Sequence, residues 1–188
     1  MNTYPRTIED GNGEQLTFVR QYDDAERGTV LEISGVTGPG AGPPMHVHNQ
    51  QYEKITVTSG RMGVELAGGE KLVAEAGESV EFAPGEPHRF WNDGEEPLVS
   101  TGEVWPAGNF EWYITQVFAS MAEAGNGRPK PFDGAFLSHK YRSEFETLQI
   151  PAPVRKVVFP AIVAVGGALG KARKFEGAPA PVRSAVAA

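Results

Sequence analysis

From Leu16 to about Val104 the apolar residues recur with a period of two, and Gly, Pro or Asn breaks the run at intervals of about eight to twelve residues. That alternation predicts short antiparallel strands, each with one buried face, assembled into a sandwich or barrel. Leu31 and Ile33 flank Glu32, and Glu53, Ile55 and Val57 alternate with Lys54 and Thr56. Met62, Val64 and Leu66 share a face, as do Val80 with Phe82 and His88 with Phe90. Turns are expected over 38–44, at Ser59-Gly60 and Gly68-Gly69, and over 84–87 and 92–97. No Lys-Ser or Lys-Thr follows the glycine pairs, so they read as hairpin turns and not as a phosphate loop.

After Pro106 the period changes. Phe110, Tyr113, Ile114, Val117, Phe118 and Met121 fall on one helical stripe, with Asn109 placed as N-cap and Gly125 as stop. A second helix is predicted from about Gly134 to Leu148, capped by Asp133, with Phe136, Leu137, Tyr141, Phe145 and Leu148 on its apolar side. The apolar stretch from Val154 to Gly170 is interrupted by Pro160 and Gly166-Gly167 and flanked by Arg155, Lys156, Lys171, Arg173 and Lys174. It is short for a bilayer span. The reading is a kinked helix packed on its own protein or on a second subunit, with a membrane-surface helix as the alternative. Beyond Glu176 the Ala, Pro and Gly content predicts a disordered end. The expected organisation is a β-barrel over 1–106, a helical extension of the same domain over 107–175, and a loose tail over 176–188.

Composition narrows the chemistry. The chain of 188 residues is 40% hydrophobic and 22% charged, enough for one domain with its own core. A net charge of −7 argues against a polyanion-binding surface, and nucleic acid is not expected as a partner. With no cysteine, thiolate ligands, thiol catalysis and disulfides are excluded. Met1 to Asp10 carries no basic stretch followed by an apolar one, so the expected location is cytoplasmic and a membrane role is not expected.

Three of the four histidines sit in one pattern. His46 and His48 are one residue apart, so on a strand their side chains project from the same face. Glu53 has the wrong parity for that face on an unbroken strand; the chain must bend at Asn49-Gln50-Gln51, after which Glu53 points inward with Ile55 and Val57. His88 follows the turn at 84–87 and shares inward parity with Phe90. Imidazole and carboxylate donors together suit a divalent transition ion such as Fe(II), Mn, Ni or Zn. Gln51 shares the parity of Glu53 and could reach an ion in its place. Arg89 and Trp91 have outward parity, and His139 reads as a partly exposed helix histidine.

These residues carry a resemblance to the cupin superfamily. Its first motif is complete: Gly40, five residues, His46-Val47-His48, four residues, Glu53, six residues, Gly60. The second runs from Gly77 through Pro84-Gly85 and His88 to Asn92, departing only at its proline, which is Ala83 here with Pro84 one place later. The resemblance implies a mainly β, jelly-roll barrel with the C-terminal helices packed on it or on a dimer partner. It also implies that His46, His48, Glu53 and His88 hold one metal ion. The activity it most often implies is a metal-dependent, dioxygenase-like oxidoreductase; a non-catalytic small-molecule binder and an isomerase are the alternatives. Gln51, Ile55, Val57, Met62, Phe82 and Phe90 are expected to line the pocket of a small, largely apolar organic ligand, in a chain that forms a homodimer.

Overall fold

A computed structural model describes residues 3–183. Eleven strands and three α-helices follow one another: β1 Arg6–Glu9, β2 Glu14–Asp24, β3 Gly28–Thr37, β4 His46–His48, β5 Tyr52–Ser59, β6 Arg61–Leu66, β7 Lys71–Glu75, β8 Ser79–Phe82, β9 His88–Asn92, β10 Leu98–Trp105, α1 Phe110–Ala124, α2 Pro131–Lys140, β11 Phe145–Thr147 and α3 Phe159–Ala168. The strands form two antiparallel sheets, one in the order β1-β2-β3-β10-β5-β8 and the other β11-β4-β9-β6-β7. From β3 to β10 the chain crosses between the sheets at every step except the β6–β7 hairpin, giving the mainly β, jelly-roll arrangement that the alternating pattern predicts.

The period of two sets which side chains go inward. Ile55, Val57, Met62, Val64, Ala74, Phe82 and Leu98 fill one end of the space between the sheets. A second cluster joins Phe18, Leu31, Ile33 and Val104 of the large sheet to Phe110, Leu137 and Tyr141 of the helical part. Helix α1 therefore spends its apolar stripe on the open side of the sandwich, where Arg6 of β1 also pairs with Glu111 at 2.8 Å.

The predicted first helix is found, with Gly125 ending it in the left-handed conformation. Asn109 occupies the N-cap position without capping: its Nδ2 donates to Glu144 Oε1 at 2.7 Å and to the Ala180 carbonyl at 2.9 Å. The second helix is earlier and shorter than expected, Pro131–Lys140 against 134–148. Pro131 supplies the fixed φ suited to a first turn. Asp133 lies inside the helix and is no cap; its buried carboxylate accepts from Ser120 Oγ at 2.7 Å and from Lys174 Nζ. The expected last turns are a strand instead. Phe145, Glu146 and Thr147 pair with His48, Val47 and His46. The otherwise open edge of β4 outbids helical continuation by supplying ladder partners.

The apolar segment is a π-helical stretch, Val154–Val158, running into α3. The wider turns lie where Pro160 removes a donor and crowds the preceding turn. Gly166 lets α3 cross α2 closely, since a Cβ there would lie 2.1 Å from the Phe132 ring. No helix among the described residues is long and apolar enough to cross a membrane.

The expected loose end is held as far as Val182. Tyr141 Oη donates to the Pro179 carbonyl at 2.9 Å, Ser143 Oγ to the Val182 carbonyl at 2.8 Å, and the Val182 N–H to Glu144 Oε1 at 2.8 Å. A proline-rich stretch cannot build its own core, but it can dock where buried acceptors await donors. Residues 184–188 of that expectation lie outside the described residues.

Candidate metal centre

Strand β4 delivers His46 and His48 to the interior one pleat apart, and β9 places His88 directly opposite His46. Glu53 comes from the facing sheet, on β5. After the bend at Asn49 to Gln51 its side chain meets the imidazoles across the gap. Each residue offers one donor atom to a cluster in which all four atoms lie within 4.8 Å of one another. The imidazole centroids stand 4.4 Å apart for His46 and His88, 5.0 Å for His46 and His48, and 5.5 Å for His48 and His88.

Neighbouring groups orient these rings. His46 Nδ1 lies 2.8 Å from the Pro44 carbonyl and His88 Nδ1 2.9 Å from the Glu86 carbonyl. A carbonyl only accepts, so each Nδ1 carries the proton and each Nε2 is left with a lone pair. The Nε2 of His88 then meets Glu53 Oε2 at 3.1 Å. Two lone pairs at that distance are satisfied by a proton or by a cation between them. His48 Nδ1 is buried, has no hydrogen-bond partner and stands 3.8 Å from the same carboxylate oxygen. An orphaned buried nitrogen facing a carboxylate fits a cation site.

The electrostatics agree. Burial, then the nearby His48 and His88, lowers the His46 imidazole to about 3. Burial also lowers His48, against the pull of Glu53. For Glu53, burial alone would raise the carboxyl, but His48, His88 and His46 together outweigh it and hold it at about 2. His46 and His48 thus offer neutral imidazoles, and Glu53 an ionised carboxylate, over the physiological range, the protonation state a divalent ion requires.

Aromatic rings fix the donors from behind. Phe82 lies flat against His88, and Phe110 and Phe145 close on His48 with centroids 5.6 Å away. Gly85, with φ +81°, turns the chain ahead of His88, and its N–H donates to the His48 carbonyl at 2.8 Å. The displaced proline of the second motif leaves this link in place.

The cluster opens into a cavity of about 810 Å³ bounded by the inner face of the large sheet on one side and α1 on the other. Ile55 and Phe90 line it as expected. Gln51, Val57, Met62 and Phe82 do not. Val57, Met62 and Phe82 have the right parity but lie where the two sheets close on each other, and they are core. Gln51 is buried behind the site beside Gly108, with both amide atoms unpartnered. The wall instead includes Leu16, Ile33, Ile114, Val117 and Met121, together with Glu14, which no metal motif marks. The parity of Glu14 with Leu16 and Phe18 was the available signal. Trp91 does not line the cavity; Arg89, expected to face outward, pairs with Glu65 at 2.5 Å and lies over the Trp91 ring, yet it also borders the cavity.

The comparisons agree with this architecture. Residues 36–101, which contain both histidine motifs, match the family described as Cupin domain. A protein of Hypocrea virens named "Probable oxidoreductase virH" is 29% identical over 101 residues, covering 50% of this chain and 45% of the relative; the chain spans less than half of that relative's length. Among solved structures, KdgF from a Halomonas species is 20% identical, covering 56% of this chain and 92% of its own, with a TM-score of 0.47. An RmlC-like cupin from Shewanella frigidimarina is 17% identical, covering 57% and 88%, also with a TM-score of 0.47. The segment with both motifs, residues 36–101, is a cupin domain.

Proposed function

We propose that this protein is a metal-dependent oxygenase acting on a small, largely apolar organic substrate, with His46, His48, Glu53 and His88 holding one divalent transition ion. The observation that carries this reading is the convergence of four donor atoms within 4.8 Å at the wall of a mainly apolar cavity of about 810 Å³. An ion bound there would supply Lewis acidity and open coordination positions for an oxygen-bearing substrate and for O2. The oxidoreductase name of the partial relative supports redox chemistry over isomerisation.

The chain's own residues have separable tasks. The Pro44 and Glu86 carbonyls hold the Nδ1 protons of His46 and His88, which fixes both tautomers and aims both Nε2 atoms inward. Glu53 supplies the negative charge that offsets a cation's. Phe110 and Phe145 shield His48 from solvent, and Ile55, Leu16 and Ile33 give the substrate body an apolar bed.

The test is elemental analysis of untagged protein, followed by oxygen-uptake screening of apoprotein reconstituted with Fe(II), Mn, Co, Ni, Cu or Zn against catechols, flavonols, diketones and thiols. Uptake that depends on one ion and disappears in Glu53→Ala is the expected outcome. Ligand binding by metal-loaded protein with no consumption of oxygen or ligand under any ion would replace the enzyme with a non-catalytic binder.

A further inference from the structure

The inner face of β2 breaks the apolar rule at one position. Glu14 shares parity with Leu16 and Phe18, which pack into the core, and it lines the same cavity as the histidine cluster. Its backbone is pinned from both sides: the Glu14 N–H donates to Asp10 Oδ1 at 2.9 Å, and the Asp10 N–H donates to the Glu14 carbonyl at 3.1 Å. The Glu14 carboxyl itself has no recorded hydrogen bond or ion pair among the described residues. A half-buried carboxyl at an inward strand position, without a partner and open to a cavity, has hydrogen-bonding capacity that the fold does not use.

Strand register sets the offset of this group from the metal cluster along the strand direction. Glu53 stands level with Val104, and Val104 with Leu31; Glu14 stands level with Thr37 on the same strand β3. Six residues of strand separate the two levels, about 20 Å along the sheet. The cavity of about 810 Å³ includes residues of both levels in its lining. Its floor is kept low where the ligand body would pass. Gly35 and Ser100 face each other across β3 and β10, and Gly102 follows two residues on. The opposite wall is the α1 stripe of Ile114, Val117 and Met121.

We infer that Glu14 forms the far end of the ligand cavity, binding a terminal hydrogen-bond donor, hydroxyl or amine, on an elongated apolar ligand whose oxygen-bearing head reaches the His46–His48–Glu53–His88 cluster. This rests on the proposed reading of the cavity as the substrate site and adds the class of substrate: two polar ends joined by an apolar body. Burial, then the neighbouring Asp10, raises the Glu14 carboxyl to about 7, so it can meet a neutral hydroxyl as donor or acceptor and an amine as a carboxylate. Asp10 Oδ2, buried and without a hydrogen-bond partner, is a second unused acceptor near this end.

The experiment uses cobalt-loaded full chain and alkyl hydroxamates, whose heads chelate first-row ions, with short chains or long chains ending in methyl, hydroxyl or amine. Binding is followed by calorimetry and head-group chelation by the cobalt spectrum. Long probes ending in hydroxyl or amine should bind about tenfold more tightly than the methyl-ended probe. Glu14→Leu should abolish that preference, and Glu14→Gln should keep part of the hydroxyl preference while losing that for amine. Short probes, which do not reach Glu14, serve as the control for intact folding. Equal affinity for all long probes in the native protein, or a preference that survives Glu14→Leu, overturns the inference. A cobalt spectrum unmoved by every hydroxamate sinks the metal reading alone, because the end-group preference is still read as heat. No heat from any long probe overturns both.

Discussion

The ring of Phe82 lies parallel to that of His88, with centroids 3.8 Å apart and planes inclined by 2°. Phe82 is buried in the core, so the stack couples the orientation of a candidate ligand to the packing of the barrel's closed end. Phe82→Ala should cost about 3 to 5 kcal/mol of stability through the cavity it leaves. It should also weaken metal binding, because the ring it supports is freed. Denaturant unfolding and a competitive chelator titration read the two effects separately; unchanged metal affinity would show that the Glu86 carbonyl alone holds His88.

Acid should destabilise the metal-free protein through its ligand cluster. His46 falls from an ordinary 6.5 to about 3 in the fold, and Glu53 from 4.5 to about 2. Between each pair of values the unfolded chain binds a proton that the folded chain refuses, so the stability these groups give is complete above about pH 6.5. It is lost as the pH falls towards about 3 for His46 and about 2 for Glu53. Glu14 has the opposite sign: raised from 4.5 to about 7, it contributes stability in acid that is lost as the pH rises through 7. Urea midpoints measured in a Glu14→Gln background should therefore decline steadily on acidification, and His46→Gln should flatten the upper part of that decline. Midpoints that rise with acid in that background would contradict the assignment.

Crowding at the α2–α3 crossing gives a third expectation. Gly166→Val would drive a side chain into the Phe132 ring and should cost about 1 to 3 kcal/mol. Limited proteolysis should then cut between Lys140 and Phe159 faster than in the native protein. Equal cutting rates would mean that α3 is held by contacts other than this crossing.

Glu144 is fully buried and accepts from the Asn109 N–H and Nδ2 and from the Val182 N–H. Glu144→Ala leaves the Asn109 and Val182 N–H groups without this acceptor, while Asn109 Nδ2 keeps the Ala180 carbonyl, and should cost about 1 to 3 kcal/mol for each N–H that stays buried. Amide exchange should quicken both at the start of α1 and along 178–182. Faster exchange in only one of the two places would show that Glu144 does not join them.

The histidine cluster was legible because parity and scarcity coincide: His46, His48 and His88 leave only His139 outside the pattern, and a period of two sends all three inward. Helix α1 was legible because Phe110 to Met121 repeats its stripe over three turns. Strand β11 was not, since Phe145-Glu146-Thr147 is too short to show alternation, while Tyr141, Phe145 and Leu148 mimic helical spacing. What made it a strand is the unpaired edge of β4, a tertiary fact. Parity also assigns a face without assigning a height. It could not separate Val57 and Met62, in the closed end of the sandwich, from Leu16 and Ile33, which bound the cavity.

The pairing of β11 with β4 bears on how the molecule is assembled. Strand β4 touches β9 at one register pair, His46 with His88, but meets β11 along all three of its residues. The paired residues are roughly a hundred positions apart, so closing that loop is among the most entropically demanding events in folding. During synthesis the His46–His48 pair emerges long before the residues that hold it straight. The segment recognised as a cupin domain, 36–101, ends before Phe145 is made. The site is therefore completed only once residues 145–147, roughly a hundred positions beyond its first histidine, have been made.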